Sequence, residues 1–177
     1  MMKELMIGVA SLVSLMGVTA EARTTVKLGN SIVEIANSAT ALESGDLALM
    51  EQHRKALEPI HRVAALPIET VASLPDARDV GYGDCKTLAK TFRTMMANEG
   101  FVPDSMLIAL VTTEKGDPHA VLVIRAIKNE KVVSYVYDIR VLRIETLDES
   151  LRRGYKYEAI EAYPEGQFLG WNGKEYL

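Results

Sequence analysis

The sequence contains very little cysteine and histidine, and this scarcity limits the chemistry that the chain can support. Its 177 residues include one cysteine, Cys85, and three histidines. One cysteine excludes an internal disulfide, and the cysteine and histidine spacing of a zinc site is absent. We therefore expect no metal and no cofactor. A lone thiol is either buried and inert or accessible and reactive, so its surroundings must decide its role.

The chain also lacks a strong charge of either sign. It has 20 basic and 24 acidic residues, for a net charge of −4. No block of like charges stands out, so the sequence gives no support for a nucleic-acid partner. With 48% apolar and 25% charged residues, the composition is typical of a globular domain that buries a substantial core.

The N-terminal region has the pattern of an export signal. Residues 5–18 form an apolar run, and the small residues Ala20 and Ala22 follow it. This pattern favours a signal peptide cleaved after Ala22, because the run is short for a membrane-spanning helix. A retained anchor and a buried helix are the alternatives. We expect a signal peptide over residues 1–22 and a mature domain over residues 23–177. The protein is then periplasmic or secreted, and it does not contact the membrane after cleavage.

The order of helical and extended patterns predicts an α+β domain. A central helix follows Cys85 and ends at Gly100, because apolar residues recur on one face between them. A capping box, Thr146 with Glu149, begins a short helix that Gly154 ends. The remaining predicted elements are a weak helix over residues 31–42, a helix over residues 47–57, and strands over residues 106–111, 120–127, 132–138 and 155–163.

Cys85 lies where a thiol becomes reactive. Residues 81–85, Gly-Tyr-Gly-Asp-Cys, stand directly before the central helix. The unpaired backbone N–H groups and the positive dipole end of a helix N-terminus lower the pKa of a thiol there. Gly81 and Gly83 allow a sharp turn and a close approach to a substrate. The backbone N–H of Cys85 is a candidate donor to an oxyanion.

His119 and Asp138 are predicted to meet across a hairpin. If Lys128 pairs with Lys131 through a two-residue turn, His119 and Asp138 lie on one face of the sheet as diagonal neighbours. Their Cβ atoms are then roughly 7 Å apart, within side-chain reach. A loop longer by one residue would place them on opposite faces.

The three residues together indicate thiol catalysis. A thiol nucleophile needs a base, and the base needs a group that orients it. We therefore predict a catalytic triad of Cys85, His119 and Asp138, with Asp117 as the alternative orienting acid. Each residue also has a structural explanation: a buried thiol, a histidine at a strand edge, and an aspartate that caps a strand. Their order along the chain favours the triad.

The motifs around these residues resemble those of the bacterial transglutaminase-like cysteine peptidases. Gly-Asp-Cys, ending at Cys85, opens a helix; His-Ala-Val-Leu, starting at His119, opens a strand; and Tyr-Asp, ending at Asp138, closes the next strand. The resemblance implies a papain-like or transglutaminase-like fold, in which the helix that bears the nucleophile packs on an antiparallel sheet. It also implies a thiol hydrolase that cleaves an amide or peptide bond through an acyl-enzyme intermediate. Cys85 would be the nucleophile, His119 the base and then the acid, and Asp138 the orienting acid.

The sequence departs from the family pattern at two places. Lys86 and Thr87 stand where family members commonly carry acidic residues, some of which bind calcium, and Ile139 stands where many members carry asparagine. Calcium and the adhesin substrates of the best-known members are therefore not carried over. The expected partner is a protein or peptide of the cell envelope. The alternatives are an acyl transferase that uses the same triad and an inactive binding module on the same scaffold.

Overall fold

The computed structural model describes residues 23–28, 31–36, 38–59, 85–162 and 167–176. Within these ranges α-helices pack on a main, largely antiparallel sheet, and two further strands form a separate pair, which confirms the α+β class. In chain order the elements are β1 (Arg23–Leu28), β2 (Ser31–Ala36), β3 (Thr40–Ala41), α1 (Asp46–Ala56), α2 (Cys85–Asn98), a 3-10 turn (Pro103–Ser105), β4 (Met106–Thr112), β5 (Pro118–Lys128), β6 (Lys131–Tyr137), β7 (Glu145–Thr146), α3 (Leu147–Arg153), β8 (Lys156–Ala162) and β9 (Gln167–Gly170).

Antiparallel pairing dominates the main sheet, whose strand order is β7-β6-β5-β4-β8-β9. The short β3 is the exception, because it pairs in parallel with β5 at Thr40 and Ala126. This contact lies just beyond Ile124, where the pairing of β4 with β5 ends. β1 and β2 form a separate antiparallel pair.

Both faces of the sheet are covered, which explains the continuous apolar runs in β4 and β5. On one face α1 and α2 pack over a core that includes Met50, Phe92, Met96, Ile108, Leu122 and Tyr137. On the other face α3 and the C-terminal segment pack over a core that includes Leu107, Val121, Val136, Tyr155, Tyr157 and Trp171.

Two contacts fix α2, the helix that begins at Cys85, against the sheet. The ring of Phe92 stacks on that of Tyr137, with centroids 4.0 Å apart and an interplanar angle of 3°. At the next residue of the helix, Arg93 Nη1 lies 2.6 Å from Oε2 of the buried Glu161 on β8. Tyr137 is the residue before Asp138, so the stack ties the helix of Cys85 to the strand that delivers the aspartate.

The hairpin between β5 and β6 has the predicted register. Lys128 pairs with Lys131, and the two turn residues, Asn129 and Glu130, have φ values of 50° and 62°. Positive φ at both positions is the signature of a type I′ turn, whose twist matches that of the strands. The predicted pairing is therefore confirmed.

The other predicted elements are confirmed with small shifts in their bounds, apart from one. The weak helix predicted over residues 31–42 is wrong, because β2 and β3 occupy that stretch. The β-branched residues of the sequence SIVEIA in β2 favour a strand over a helix. α1 begins after Gly45, which has a φ of 110° and provides no side-chain cap.

Two predicted features lie outside the described residues: the signal peptide and the glycine turn at residues 81–84. Among the helices that the structure does describe, none is long and apolar enough to cross a membrane.

The stack of Phe92 on Tyr137 provides a test of the core. Phe92 is fully buried, so we expect Phe92→Ala to lower the free energy of unfolding by about 3–5 kcal/mol. The exposed Thr94 on the same helix is the matched control, and Thr94→Ala should change this free energy by less than about 0.5 kcal/mol. Urea denaturation measures both values. Equal effects of the two substitutions would contradict the packing described here.

Candidate active site

A hydrogen bond joins His119 to Asp138 at the end of the sheet. His119 is the second residue of β5, and Asp138 directly follows the last residue of β6. His119 Nε2 lies 2.8 Å from Asp138 Oδ1, and the two side chains are 7% and 1% exposed. β6 ends one residue before Asp138, so the ladder does not itself pair these residues. Their side chains meet because the register of the hairpin places both of them on the same face of the sheet.

Both oxygens of the Asp138 carboxylate accept hydrogen bonds that hold the group in place. Oδ1 accepts a second hydrogen bond from the backbone N–H of Arg140 at 2.8 Å. Oδ2 accepts one from the hydroxyl of Tyr155 at 2.6 Å and one from Arg153 Nη2 at 3.4 Å. Because donors surround it on both sides, the carboxylate has one favoured orientation, and that orientation presents Oδ1 to His119.

These donors keep Asp138 ionised in spite of its burial. Burial alone would raise the pKa of this carboxyl group, but the hydrogen bond and charge of His119 lower it, and Tyr155 and the backbone of Arg140 lower it further. The net effect is a pKa below the usual value for aspartate. A negative charge therefore faces the imidazole at neutral pH.

The pKa of His119 shifts in the opposite direction to that of Asp138. Burial lowers the pKa of the imidazole, but hydrogen bonds to Asp138 and Cys85, together with the electrostatic effects of both, outweigh burial and raise the pKa from 6.5 to about 9. At pH 7 the ring is thus an imidazolium. Nε2 is engaged with Asp138, which leaves Nδ1 for the sulfur.

Cys85 completes the cluster from the helical side. It is the first residue of α2, it is partly exposed, and it packs against the core under α1 and α2. A hydrogen bond between its thiol and the His119 ring is among the causes that raise the pKa of His119. The structure therefore brings together all three residues that the sequence singles out. Each lies at the end of its element, where side chains from different layers converge.

The alternative orienting acid, Asp117, has a different role. It lies in the turn between β4 and β5, where its carbonyl accepts a hydrogen bond from the N–H of Thr113 at 2.9 Å and its N–H donates to the Thr113 hydroxyl at 3.1 Å. In the described ranges, no group of three or more histidine, cysteine, aspartate or glutamate side chains is arranged to hold a metal ion.

Sequence reasoning missed two residues of this site, Tyr155 and Arg153. One signal was present: Gly154 ends α3 with a φ of 107°, and the N–H of Tyr155 bonds to the carbonyl of Ser150. This 6→1 hydrogen bond belongs to a Schellman motif, in which the residue after the glycine turns back onto its helix. The motif predicts that the side chain of Tyr155 packs inward. Nothing in the local sequence predicts that its hydroxyl donates a hydrogen bond to Asp138.

The model of the bacterial transglutaminase-like cysteine proteinase family matches residues 45–159, which is more than half of the chain. The protein belongs to this family. The match includes Cys85, His119 and Asp138, and it confirms the resemblance inferred from the motifs. The α+β architecture fits the papain-like fold of the family, and membership supports a cysteine peptidase in general terms. The chain matches no curated protein and no solved structure.

The contact between His119 and Asp138 predicts a measurable titration. We expect His119 to titrate near 9 and Asp138→Asn to lower this pKa, because the amide supplies no negative charge to the ring. Ring-nitrogen NMR across the pH range measures both values. Because the pKa of His119 is raised on folding, its contribution to stability is complete below about 6.5 and is lost as the pH rises through about 9. A His119 pKa near 6.5 in the wild type would contradict this assignment.

Proposed function

We propose that the protein is an exported thiol hydrolase that cleaves an amide or peptide bond through Cys85, His119 and Asp138. The proposal rests on the two contacts that the imidazole of His119 makes. The His119 ring bonds to a buried carboxylate on one side and meets a thiol at a helix N-terminus on the other. Family membership supports the same class of enzyme.

The raised pKa of His119 favours an ion pair at the reactive sulfur. An imidazolium next to a thiol stabilises the thiolate, and so does the N-terminus of a helix. Asp138 stabilises the positive ring and fixes its orientation. In this proposal the nucleophile is ionised before the substrate binds, so no proton must leave the sulfur during the attack.

The reaction then proceeds in two stages. The thiolate of Cys85 attacks the carbonyl carbon of the scissile amide, and the C–N bond breaks as His119 donates its proton to the departing amine. The product is a thioester between Cys85 and the acyl part of the substrate. His119, now neutral, takes a proton from water, and the resulting hydroxide attacks the thioester, releasing the acid and the thiolate.

The negative oxygen that develops in both stages needs a donor. The backbone N–H of Cys85 is suited to this role, because it lies at the positive end of the helix dipole. Cys85 is the first residue of α2. A carbonyl attacked by its sulfur lies close to this N–H, which is the arrangement of an oxyanion hole.

Thiol alkylation provides the test. We expect iodoacetamide to modify Cys85 rapidly below pH 7 and His119→Ala to slow this reaction markedly, because the variant loses the imidazolium. His53→Ala is the matched control, since His53 lies in α1 and pairs with Glu99 just beyond the far end of α2. It should leave the rate unchanged. A thiol that reacts only near its ordinary pKa of about 8.5, whatever stands at position 119, would contradict the proposal and favour an inactive binding module.

Product analysis separates hydrolysis from acyl transfer. Cell-envelope polypeptides incubated with the purified protein should be cleaved, and Cys85→Ala should abolish the cleavage. With a primary amine added, a product that carries the amine instead of a new carboxylate would identify an acyl transferase.

Export is the remaining part of the proposal and is tested separately. We expect the exported protein to begin at Arg23 after cleavage behind Ala22, which the intact mass of the protein recovered from the periplasm or medium measures. Replacement of Ala22 by a bulky residue should block cleavage, because signal peptidase requires small residues there. Recovery of the full-length chain from the cytoplasm alone would contradict export.

A further inference from the structure

Tyr155 is a buried residue that links the two partners of the His119–Asp138 pair. It is 2% exposed and lies between α3 and β8. Its hydroxyl donates to Asp138 Oδ2 at 2.6 Å. Its ring meets the His119 ring edge to face, with centroids 6.4 Å apart and planes at 82°. One side chain thus contacts both the carboxylate and the imidazole.

The direction of the hydroxyl is fixed by a second hydrogen bond. Arg140 Nη1 donates to the Tyr155 oxygen at 3.3 Å. A hydroxyl has one proton to donate, and a guanidinium only donates. The oxygen therefore accepts from Arg140, and its proton is directed to Asp138. Burial and the charge of Asp138 also raise the pKa of Tyr155, so the hydroxyl keeps its proton at neutral pH.

The ring of Tyr155 is fixed by Arg153. The guanidinium carbon lies 3.9 Å from the ring centroid, which is a cation–π arrangement. Arg153 is itself held by Glu145, whose Oε2 lies 2.8 Å from Nη2, and by Glu114, whose Oε2 lies 3.6 Å from Nη1. Side chains from three separate segments thus hold one ring in place.

We propose that Tyr155 is a positioning residue that sets the orientation of Asp138 and thereby holds Asp138 Oδ1 against His119 Nε2. The role follows from the geometry of the carboxylate. Rotation about the bond to the carboxyl carbon moves both oxygens together, so a short hydrogen bond to Oδ2 fixes Oδ1 in front of His119 Nε2. The effect on catalysis rests on the proposed function, whereas the effect on the imidazole does not.

Tyr155→Phe tests the role, and the chain offers a matched control. Tyr157 is also buried, at 5% exposure, and its hydroxyl bonds to Ser150 at 2.8 Å. Tyr157→Phe therefore also removes a buried hydroxyl, but one that bonds outside the Asp138 carboxylate. We expect Tyr155→Phe to lower the pKa of His119 by about one unit, a tenfold change in its proton affinity. Tyr157→Phe should leave this pKa unchanged. Ring-nitrogen NMR measures both.

A second variant keeps the charge while loosening the ring. Arg153→Lys retains the positive charge but loses the planar group stacked on Tyr155. We expect a fall of the His119 pKa in the same direction as in Tyr155→Phe, but smaller. Because Arg153 also contacts Asp138 directly, Tyr155→Phe is the deciding variant. If Tyr155→Phe does not lower the pKa of His119, or if Tyr157→Phe lowers it as much, Tyr155 is only a structural residue and the proposal is overturned.

Alkylation of Cys85 then separates this proposal from the proposed function. If both hold, the lower proton affinity of His119 weakens the ion pair, so Tyr155→Phe raises the pH at which Cys85 becomes reactive towards alkylation, whereas Tyr157→Phe leaves it unchanged. If the wild-type thiol shows only ordinary reactivity while the His119 pKa still falls in Tyr155→Phe, the proposed hydrolase is wrong and the positioning role stands.

Discussion

The site depends on a single imidazole held between a carboxylate and a thiol. Burial alone would drive His119 towards its neutral form; the contacts with Asp138 and Cys85 instead raise the pKa of the ring to about 9. The same pair keeps the buried carboxylate ionised, because each charge compensates the desolvation of the other. The proposed chemistry of Cys85 follows from this balance, since the charge on the ring decides whether the sulfur meets a cation or a neutral base.

The fold maintains this balance because the ends of three secondary-structure elements meet at one place. Cys85 begins α2, His119 lies near the start of β5, and Asp138 follows β6. The stack of Phe92 on Tyr137 fixes the helix against the strand that leads to Asp138. Groups at the ends of rigid elements hold their relative positions well while remaining open to a substrate. Membership of the bacterial transglutaminase-like cysteine proteinase family is consistent with this arrangement.

The sequence predicted the parts of the site that depend on local rules. The spacing of Lys128 and Lys131 determined the register of the hairpin, and side-chain alternation then placed His119 and Asp138 on one face. The apolar periodicity of α2 placed Cys85 at a helix N-terminus. The strand at residues 31–36 was mistaken for part of a helix, because polar neighbours obscured its β-branched residues. The role of Tyr155 could not be predicted from the sequence, since it depends on a tertiary contact with Asp138, which lies 17 residues away in the chain.

Nitrogen-15 NMR of the His119 ring in the intact protein at pH 7 tests the central claim most directly. The account predicts that both ring nitrogens carry protons, with the proton on Nε2 shared in a hydrogen bond with Asp138. A ring with one unprotonated nitrogen at this pH would contradict it, because a neutral imidazole provides no positive charge to the sulfur.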